Sequence, residues 1–289
     1  PLTFTRPVSE MRIGILTIRQ KWEKLLGSEI SFLTQDYLSV KYPINIERDN
    51  LLINASLLPS SEIIVRMEEL KTDEALVSGN RILAARLDRI KTGKFDFTNS
   101  QGFKTFEVSS VPKFIEHPWH IFQLNGEEIR NDFALLTRER KSATLSKTMN
   151  LLSPENIFTE EGFRGEFATI NASTGPVYLG RDSEIMEGSI IRGPFALGEH
   201  SIIKMGAKIY GPTTIGPNSK AGGEINNSVI FGNSNKGHDG FLGNSVLGEW
   251  CNIGADSNNS NLKNNYAIVK LWSYKYEKFI DTGLQFCGL

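Results

Sequence analysis

The sequence predicts two regions, an α/β domain followed by a parallel β-helix. The first prediction rests on strand-like and helix-like segments that alternate along residues 1–150. The second rests on aliphatic side chains that recur every six residues from Leu179 onward, with a small side chain four positions after most of them. Alternating strands and helices are typical of α/β folds, and a fixed short period is typical of a solenoid.

The composition is that of an ordinary globular protein. The chain has 289 residues, of which 39% are hydrophobic and 22% charged, with a net charge of -1. No basic excess favours nucleic acid, and no apolar stretch approaches the ~20 residues of a membrane span. The two cysteines give neither a disulfide framework nor a zinc pattern. We therefore expect a cytoplasmic protein without a nucleic-acid or membrane partner.

Two helices and one strand stand out in the first region. Thr17–Leu26 has apolar residues at helical spacing and is followed by a glycine. Leu51–Ile53 is a short apolar strand, and Glu62–Leu70 is a second helix preceded by serines that can cap it. These elements assign residues 1–150 to an α/β domain. Residues 151–176 are rich in turn formers and are assigned to a connection.

The β-helix is assigned to residues 177–289. Its aliphatic positions are Leu179, Ile185, Ile191, Leu197, Ile203, Ile209, Ile215 and finally Ala221, and after a slip near Gly223 the pattern resumes at Phe241, Leu247 and Ile253. Three short strands joined by tight turns complete one triangular coil, and each aliphatic side chain stacks on its counterpart in the next coil. A generic β-solenoid and an irregular β-sandwich are the alternatives.

One stretch of the repeat carries a distinctive motif. Asn227–Asn261 reads NSVIFGNSNKGHDGFLGNSVLGEWCNIGADSNNSN. It resembles the acetyltransferase domain of the bifunctional bacterial enzymes that make UDP-N-acetylglucosamine, whose pattern is approximately GxGSKxxHxxYLGDxxIGxxxNIGAG. The shared residues are Gly232, Ser234, His238, Leu242, Gly243, Gly248, Asn252, Ile253, Gly254 and Ala255. The resemblance implies a left-handed β-helix, acetyl-CoA as cofactor, and a homotrimer with its sites between neighbouring prisms.

The same resemblance implies roles for individual residues. His238 falls on the family's catalytic base, and a base is needed because the amine that attacks acetyl-CoA must lose a proton, which imidazole can accept near neutral pH. Asn252 and Asn261 match asparagines that contact the sugar, and Ala255 matches a position whose backbone lies by the CoA thioester. From the residues alone, a histidine within Gly237–Gly240 could equally be an exposed turn residue.

The predicted substrate-binding residues are Asn226, Phe241, Asn252 and Asn261, and several depart from the family. Phe241 replaces a tyrosine, and Asn226 stands where a lysine binds the sugar phosphate. Leu262 replaces the tyrosine that follows Asn261. Lys204, Lys208 or Lys270 could supply the missing charge or could simply face water. The acceptor could therefore be an amino-sugar phosphate other than glucosamine-1-phosphate.

A metal hydratase is an alternative on the same scaffold. Such an enzyme needs three histidine ligands around zinc, whereas the repeat region contains only His200 and His238. No metal ligands are therefore predicted.

The start of the chain resembles the sugar nucleotidyltransferases. Its first residues, PLTFTRP, are similar to the segment after that family's glycine-rich loop, GxGTRLxPLTxxxPKP. The resemblance implies a Rossmann-like domain, Arg6 near the nucleotide, and Mg²⁺ if the domain is active. The glycine-rich loop does not occur in this sequence, and the two alternatives are that it lies upstream of Pro1 or that it is absent. Val8 stands in place of a phosphate-binding lysine, and Ser56 in place of a magnesium-binding aspartate.

Three functions follow from these observations. The first is acetyl-CoA-dependent N-acetylation of an amino-sugar phosphate, with His238 as base, in nucleotide-sugar biosynthesis. The second is uridylyl or thymidylyl transfer to a sugar-1-phosphate, and the third is a non-catalytic oligomeric scaffold. Because Thr282–Leu289 re-enters the repeat, further coils are expected beyond residue 289.

Overall fold

A computed structural model describes residues 2–93, 95–98, 102–259 and 261–288. Pro1 and Leu289, the outer limits of the two predicted domains, lie outside the described residues. The chain divides into two compact units. The front unit comprises Leu2–Met11 and Thr17–Glu116, and the solenoid unit comprises Arg12–Leu16 and His117–Leu289. The predicted domain over residues 1–150 is thus divided between them.

The helices and the first strands have the following bounds. The helices are α1 (Ile18–Leu26), α2 (Asp36–Ser39), α3 (Ser61–Glu68), α4 (Arg89–Thr92) and α5 (Pro118–Thr137), with 3-10 turns at Val8–Glu10 and Pro154–Asn156. The first strands are β1 (Arg12–Ile13), β2 (Leu16–Thr17), β3 (Asp49–Ile53), β4 (Glu74–Ser78), β5 (Arg81–Asp88) and β6 (Lys104–Glu107). None of the described helices is both long and apolar enough to cross a membrane.

The front unit is built on a mixed β-sheet with strand order β3-β5-β4-β6. Strands β3 and β4 run antiparallel to β5, and β6 runs parallel to β4. One face of this sheet buries Ala75, Val77, Ile82 and Ala85 against three phenylalanines. This arrangement agrees with the predicted α/β class.

The predicted helix boundaries follow from capping. At the start of α1 the Thr17 side chain accepts a hydrogen bond from the Gln20 amide, and the Gln20 side chain accepts one from the Thr17 amide, so two end groups of the helix are satisfied. The helix ends at Gly27, whose φ of 65° is left-handed. At α3 the Ser60 hydroxyl accepts from the Ile63 amide. The two predicted helices and the predicted strand are therefore confirmed, with α3 ending two residues early at Glu68.

Glu62, in the first turn of α3, ties the helix to a loop of the front unit. Its carboxylate accepts hydrogen bonds from the amide of Ser110 at 3.0 Å and from the amide and hydroxyl of Ser109 at 2.8 and 2.7 Å. These hydrogen bonds from Ser110 and Ser109 stabilise the charged form and hold the pKa of Glu62 at about 2.

A Glu62→Gln variant is expected to lose stability in a pH-dependent way. Because the folded-state pKa lies below the ordinary value of about 4.3, the contribution is complete above that pH and is lost as the pH falls through about 2. Urea unfolding of wild type and variant should therefore give a difference in unfolding free energy that shrinks on acidification. Glu68→Gln, an exposed change on the same helix, is the control. A difference for Glu62→Gln that does not vary with pH would contradict the assignment.

The second half of the chain is a triangular solenoid. Its strands are β7 (Asn150–Leu152), β8 (Ile157–Thr159), β9 (Arg164–Gly165), β10 (Thr169–Asn171), β11 (Val177–Leu179), β12 (Glu184–Ile185), β13 (Ile190–Arg192), β14 (Phe195–Leu197), β15 (Ile202–Ile203), β16 (Lys208–Tyr210), β17 (Thr213–Ile215), β18 (Lys220–Ala221), β19 (Glu224–Asn226), β20 (Val229–Gly232), β21 (Asn235–Lys236), β22 (Phe241–Gly243) and β23 (Val246–Glu249). In the described part of the chain they form three parallel sheets, which we name the first (β7-β10-β13-β16-β19-β22), second (β8-β11-β14-β17-β20-β23) and third (β9-β12-β15-β18-β21). The predicted parallel β-helix is confirmed, and the arrangement is consistent with the left-handed form.

The solenoid core consists of stacked aliphatic side chains. In the second sheet Leu179 pairs with Leu197, which pairs with Ile215. The eight positions predicted between residues 179 and 221 are all buried, with at most 2% of each residue exposed. Burying each isoleucine or leucine contributes about 1.5–3 kcal/mol, so this repeat is the main source of stability for the solenoid.

The solenoid begins earlier than the sequence predicts. Residues 151–176, assigned above to a connection, contain β8, β9 and β10, and Ile170 stacks on Ile191 of the next coil. The turn formers of this stretch are the corners of the first coils; Gly162, for example, has φ 77°. A corner and a linker have the same composition, which explains the difference.

The later repeat differs from the prediction at one position, since Leu247 and Ile253 pack against the solenoid core as predicted. Leu242, not Phe241, points into the prism, where it is 3% exposed and pairs with Ile225. The inward residues of this coil are Ile230, Lys236 and Leu242. Because lysine is not aliphatic, the spacing of six does not stand out in the sequence here. Because neighbouring residues of a strand face opposite sides, an error of one residue moved the expected inward position to Phe241.

Helix α5 covers the outer face of the second sheet within the solenoid unit. Ile129 of this helix is buried with Ala196 of β14 and with Ile15. The Asp132 carboxylate accepts hydrogen bonds from the amides of Ile15 and Leu16 at 2.8 and 3.0 Å. Because of these contacts, residues Arg12–Leu16 belong to the solenoid unit and not to the front unit.

A hairpin excursion interrupts the last described coil. Strands β24 (Lys270–Ser273) and β25 (Lys278–Asp281) pair antiparallel. The chain then returns, and the Cys287 amide donates to the Asn261 carbonyl at 2.9 Å. The Gly288 amide donates to the Asn244 carbonyl at 3.0 Å. Residues 287 and 288 therefore re-enter the repeat as the rung after Asn244.

Candidate functional site

His238 lies on an exposed turn, Gly237–Gly240, between β21 and β22 of the solenoid. The turn is stacked tightly between those of the neighbouring coils. Gly240 has φ 115°, and a Cβ there would clash with the Ser257 carbonyl oxygen. A Cβ on Gly223 would lie 2.9 Å from the His238 carbonyl oxygen. The imidazole is thus presented to solvent from a closely packed backbone.

Lys236, which sequence reasoning missed, lies directly beneath this turn. Its side chain is buried, and its Nζ donates hydrogen bonds to the carbonyls of His238 at 2.6 Å, Gly222 at 3.1 Å and Asp239 at 3.4 Å. Burial lowers the pKa of Lys236, while the carboxylates of Asp239 and Asp256 oppose that shift. The signal that could have revealed it is the spacing of six between Ile230, Lys236 and Leu242.

The turn that carries Ala255 stacks on the turn that carries His238. The Asp256 amide donates to the Asp239 carbonyl at 3.1 Å. The two turns are therefore one coil apart, about the 4.8 Å spacing of adjacent strands. Both His238 and Ala255 are exposed, so the structure brings the predicted base and the predicted cofactor position to the same edge of the prism.

Asn252 lies one coil beyond β21. Its side-chain Oδ1 accepts a hydrogen bond from the Asn235 Nδ2 at 2.9 Å, and the two residues are bridge partners. Asn252 is exposed. Its bridge partner Asn235 directly precedes Lys236 in the sequence. The predicted sugar-contacting residue is therefore close in the coil to the anchored turn.

The other predicted substrate residues meet on the first sheet. Asn226 pairs with Gly243 of the next strand. A Cβ on Gly243 would lie 2.5 Å from the Phe241 ring and 2.5 Å from the Asn261 side-chain nitrogen. Phe241 and Asn261 therefore lie over Gly243, beside Asn226. Phe241 is three residues after His238, so this cluster continues from the histidine turn.

Of the three lysines that could supply a cation, Lys208 is on the same sheet as this cluster. Lys208 pairs with Glu224, which in turn pairs with Phe241. Lys204 instead lies by Gly222, on the turn side of the prism, and Lys270 lies on the hairpin. Lys208 is exposed and, of the three, is the one on the sheet of Asn226, the residue predicted to contact a sugar phosphate.

Arg6 lines a cavity of about 650 Å³ in the front unit. The residue is 8% exposed. Thr3, Val8, Gln35 and Tyr37 also line this pocket, which is open to solvent. Val8, which replaces a lysine of the resembling family, is on this wall.

Ser56, predicted to replace a magnesium ligand, is engaged in a turn. Its amide and hydroxyl donate to the Asn54 Oδ1 at 3.2 and 2.9 Å, and the Arg81 guanidinium donates to its hydroxyl at 3.3 Å. A guanidinium at this position disfavours a second cation, so these residues do not fit a magnesium ion. No group of three or more His, Cys, Asp or Glu that could hold a metal occurs among the described residues.

Comparison with known families agrees with the resemblance described above for the start of the chain. Residues 1–141 match the model of a family described as sugar nucleotidyl transferase, which is slightly less than half of the 289 residues. No curated protein shows significant similarity to the chain. The N-terminal α/β region is nucleotidyltransferase-like. Together with the solenoid, the match supports a transferase and suggests a place in sugar-nucleotide biosynthesis.

Proposed function

We propose that this transferase uses its solenoid to move an acetyl group from acetyl-CoA to the amine of an amino-sugar phosphate. The observation that carries the proposal is the exposed His238 on a turn anchored from inside the prism and stacked beside the turn of Ala255. A fixed, solvent-facing imidazole can accept a proton from an amine near neutral pH.

Each predicted residue then has a role in the proposed reaction. Bound acetyl-CoA supplies an activated acetyl group as a thioester. His238 would remove the proton from the attacking amine as the C–N bond forms and the thioester C–S bond breaks, and would return that proton to the departing CoA thiolate. The exposed backbone at Ala255 would lie along the cofactor. Asn252 and Asn261 offer amide groups to the sugar hydroxyls. Phe241 offers an apolar face to the ring, where a tyrosine hydroxyl is absent.

The acceptor phosphate is the least constrained part of the proposal. Asn226 can donate a neutral hydrogen bond to a phosphate, whereas Lys208 adds a positive charge on the same sheet. A charge-assisted hydrogen bond is about twice as strong as a neutral one. We therefore extend the proposal to a phosphorylated amino sugar held by both residues, in a cytoplasmic homotrimer whose neighbouring prism completes the site.

The experiment that tests this function measures CoA release from acetyl-CoA by the full chain. Glucosamine-1-phosphate, other amino-sugar phosphates and the unphosphorylated sugar are the acceptors to compare. Acceptor-dependent release with a preference for the phosphorylated sugar is expected. Binding of acetyl-CoA without release on any of these acceptors would exclude an amino-sugar acetyltransferase. Absence of both binding and release would favour a scaffold.

A second candidate function, nucleotidyl transfer to a sugar-1-phosphate, is favoured by the family match of residues 1–141 and by the cavity around Arg6. Ser56 and Arg81 oppose it, because the expected magnesium ligand is missing.

Thermal unfolding with nucleoside triphosphates, with and without Mg²⁺, tests this second candidate. A ligand at 100 times its Kd stabilises the native state by about 2.7 kcal/mol, so UTP or dTTP should raise the Tm of the wild type. The increase should be lost in Arg6→Gln and kept in the control Arg48→Gln, which changes an exposed arginine of the front unit. If no triphosphate shifts the wild-type Tm, nucleotide binding is ruled out for this chain.

A further inference from the structure

Lys236 occupies a position that the solenoid elsewhere fills with aliphatic or small side chains. In the third sheet Ile203 pairs with Ala221, and Ala221 pairs with Lys236. Only 1% of the lysine is exposed. Removing an ammonium group from water costs several kcal/mol unless its donors are satisfied, so the surroundings of its Nζ determine what it does.

Three carbonyl oxygens surround that nitrogen. They belong to His238 at 2.6 Å, Gly222 at 3.1 Å and Asp239 at 3.4 Å. An ammonium group has three N–H donors and no acceptor, so three carbonyls match it, whereas a neutral amine would turn a lone pair towards one of them. The geometry therefore fits the charged form.

Two of these three carbonyls come from the turn that carries the proposed base. Because the carbonyls of His238 and Asp239 point inward to the ammonium group, their side chains are directed outward, and both residues are exposed. The other carbonyl, of Gly222, belongs to the preceding coil. Lys236 therefore links the histidine turn to the preceding coil, because its ammonium group donates to backbone carbonyls of both.

We propose that Lys236 is a positioning residue, which fixes the Gly237–Gly240 turn so that the His238 imidazole faces the acetyl-transfer site beside Ala255. The inference rests on the proposed function for its effect on catalysis, but not for its effect on the turn. Lys236 acts through the backbone of His238 and does not touch the substrates.

Lys236→Met tests this role, since methionine is similar in length and has no N–H donor. The matched control is Ile203→Met, in the same inward column and two coils before Lys236. For the first variant we expect kcat for acetyl transfer to fall by about 10²-fold, the usual effect of misplacing a catalytic group by about 1 Å, with the KM for acetyl-CoA unchanged. Ile203→Met should keep wild-type kcat.

Two further comparisons separate positioning from a loss of folding. Lys236→Gln, which keeps two N–H donors, should recover part of the lost kcat. In a His238→Ala background, Lys236→Met should cause no further loss, because the base it positions is absent. Equal losses in both backgrounds, or a wild-type kcat in a folded Lys236→Met protein, would overturn the inference.

Backbone hydrogen exchange tests the turn without any assay of activity. Lys236→Met should accelerate exchange at the amides of Glu224 and Asp256, which donate to the Gly240 and Asp239 carbonyls of the turn. It should leave the coil of Ile191 at wild-type rates, and Ile203→Met should not affect these two amides. If the wild type transfers no acetyl group, the proposed function fails, and this exchange pattern alone decides the role of Lys236. Unchanged exchange at the amides of Glu224 and Asp256 would then refute it.

Discussion

Replacing His238 with alanine is expected to lower kcat for acetyl transfer to an amino-sugar phosphate by about 10²–10⁴-fold, the usual contribution of a general base. The adjacent carboxylate of Asp239 is a poor replacement, because a carboxylate is a far weaker base than imidazole. The KM for acetyl-CoA should change little, because the imidazole acts on the acceptor amine. Steady-state CoA release at neutral pH measures both parameters.

His200→Ala is the matched control for this prediction. Like His238, His200 is an exposed residue of the solenoid. Its own backbone is left-handed, with φ 56°, and its Nδ1 lies 3.9 Å from the Asp182 carboxylate. This variant should keep wild-type kcat. Full activity in His238→Ala would remove the histidine from the mechanism, and equal losses in the two variants would indicate a general effect on the solenoid.

Replacing Ile191 with alanine is expected to lower the free energy of unfolding by about 2–5 kcal/mol. Ile191 is fully buried, and it stacks between Ile170 and Ile209 of the adjacent coils. Truncation removes its contacts on both sides and leaves a cavity that the stacked strands cannot close, because their backbone hydrogen bonds set the spacing of the coils. Urea unfolding followed by circular dichroism measures the change.

Ile190→Ala is the control, since the two residues are neighbours on β13. Ile190 is 56% exposed, so its truncation should change the unfolding free energy by no more than about 0.5 kcal/mol. Similar losses for the two variants would contradict the inward and outward assignments of this strand.

The parts of the fold that sequence predicts best are those in which one side-chain type repeats at a fixed spacing. The aliphatic column from Leu179 to Ala221 is a direct consequence of coil geometry, and every member is buried. The prediction is weaker where a coil changes length. The step from Leu197 to its partner Ile215 is 18 residues, whereas the step from Ile215 to Ile230 is 15. A shorter coil moves the period without leaving a marker in the composition.

The candidate site shows a similar division. His238 and Ala255 were identified through a motif, and their neighbouring turns follow from the stacking of coils. Lys236 was missed because a buried charge contradicts the hydrophobic pattern used to find inward positions. The grouping of Asn226, Phe241 and Asn261 needed the register, since residues 35 positions apart in sequence meet only through the pairing of strands.

The hairpin excursion has a consequence for how this scaffold can vary. Its two ends are joined by the hydrogen bond between Asn261 and Cys287 and by the bridge between Leu262 and Phe286. Everything between those residues can change in length without altering the rungs on either side, because the coil is already closed at the base of the excursion. The segment is thus an exchangeable module on a constant frame. An insertion there would change the surroundings of Asn261, and with them the acceptor preference of the proposed transferase, while the turn that carries His238 would stay the same.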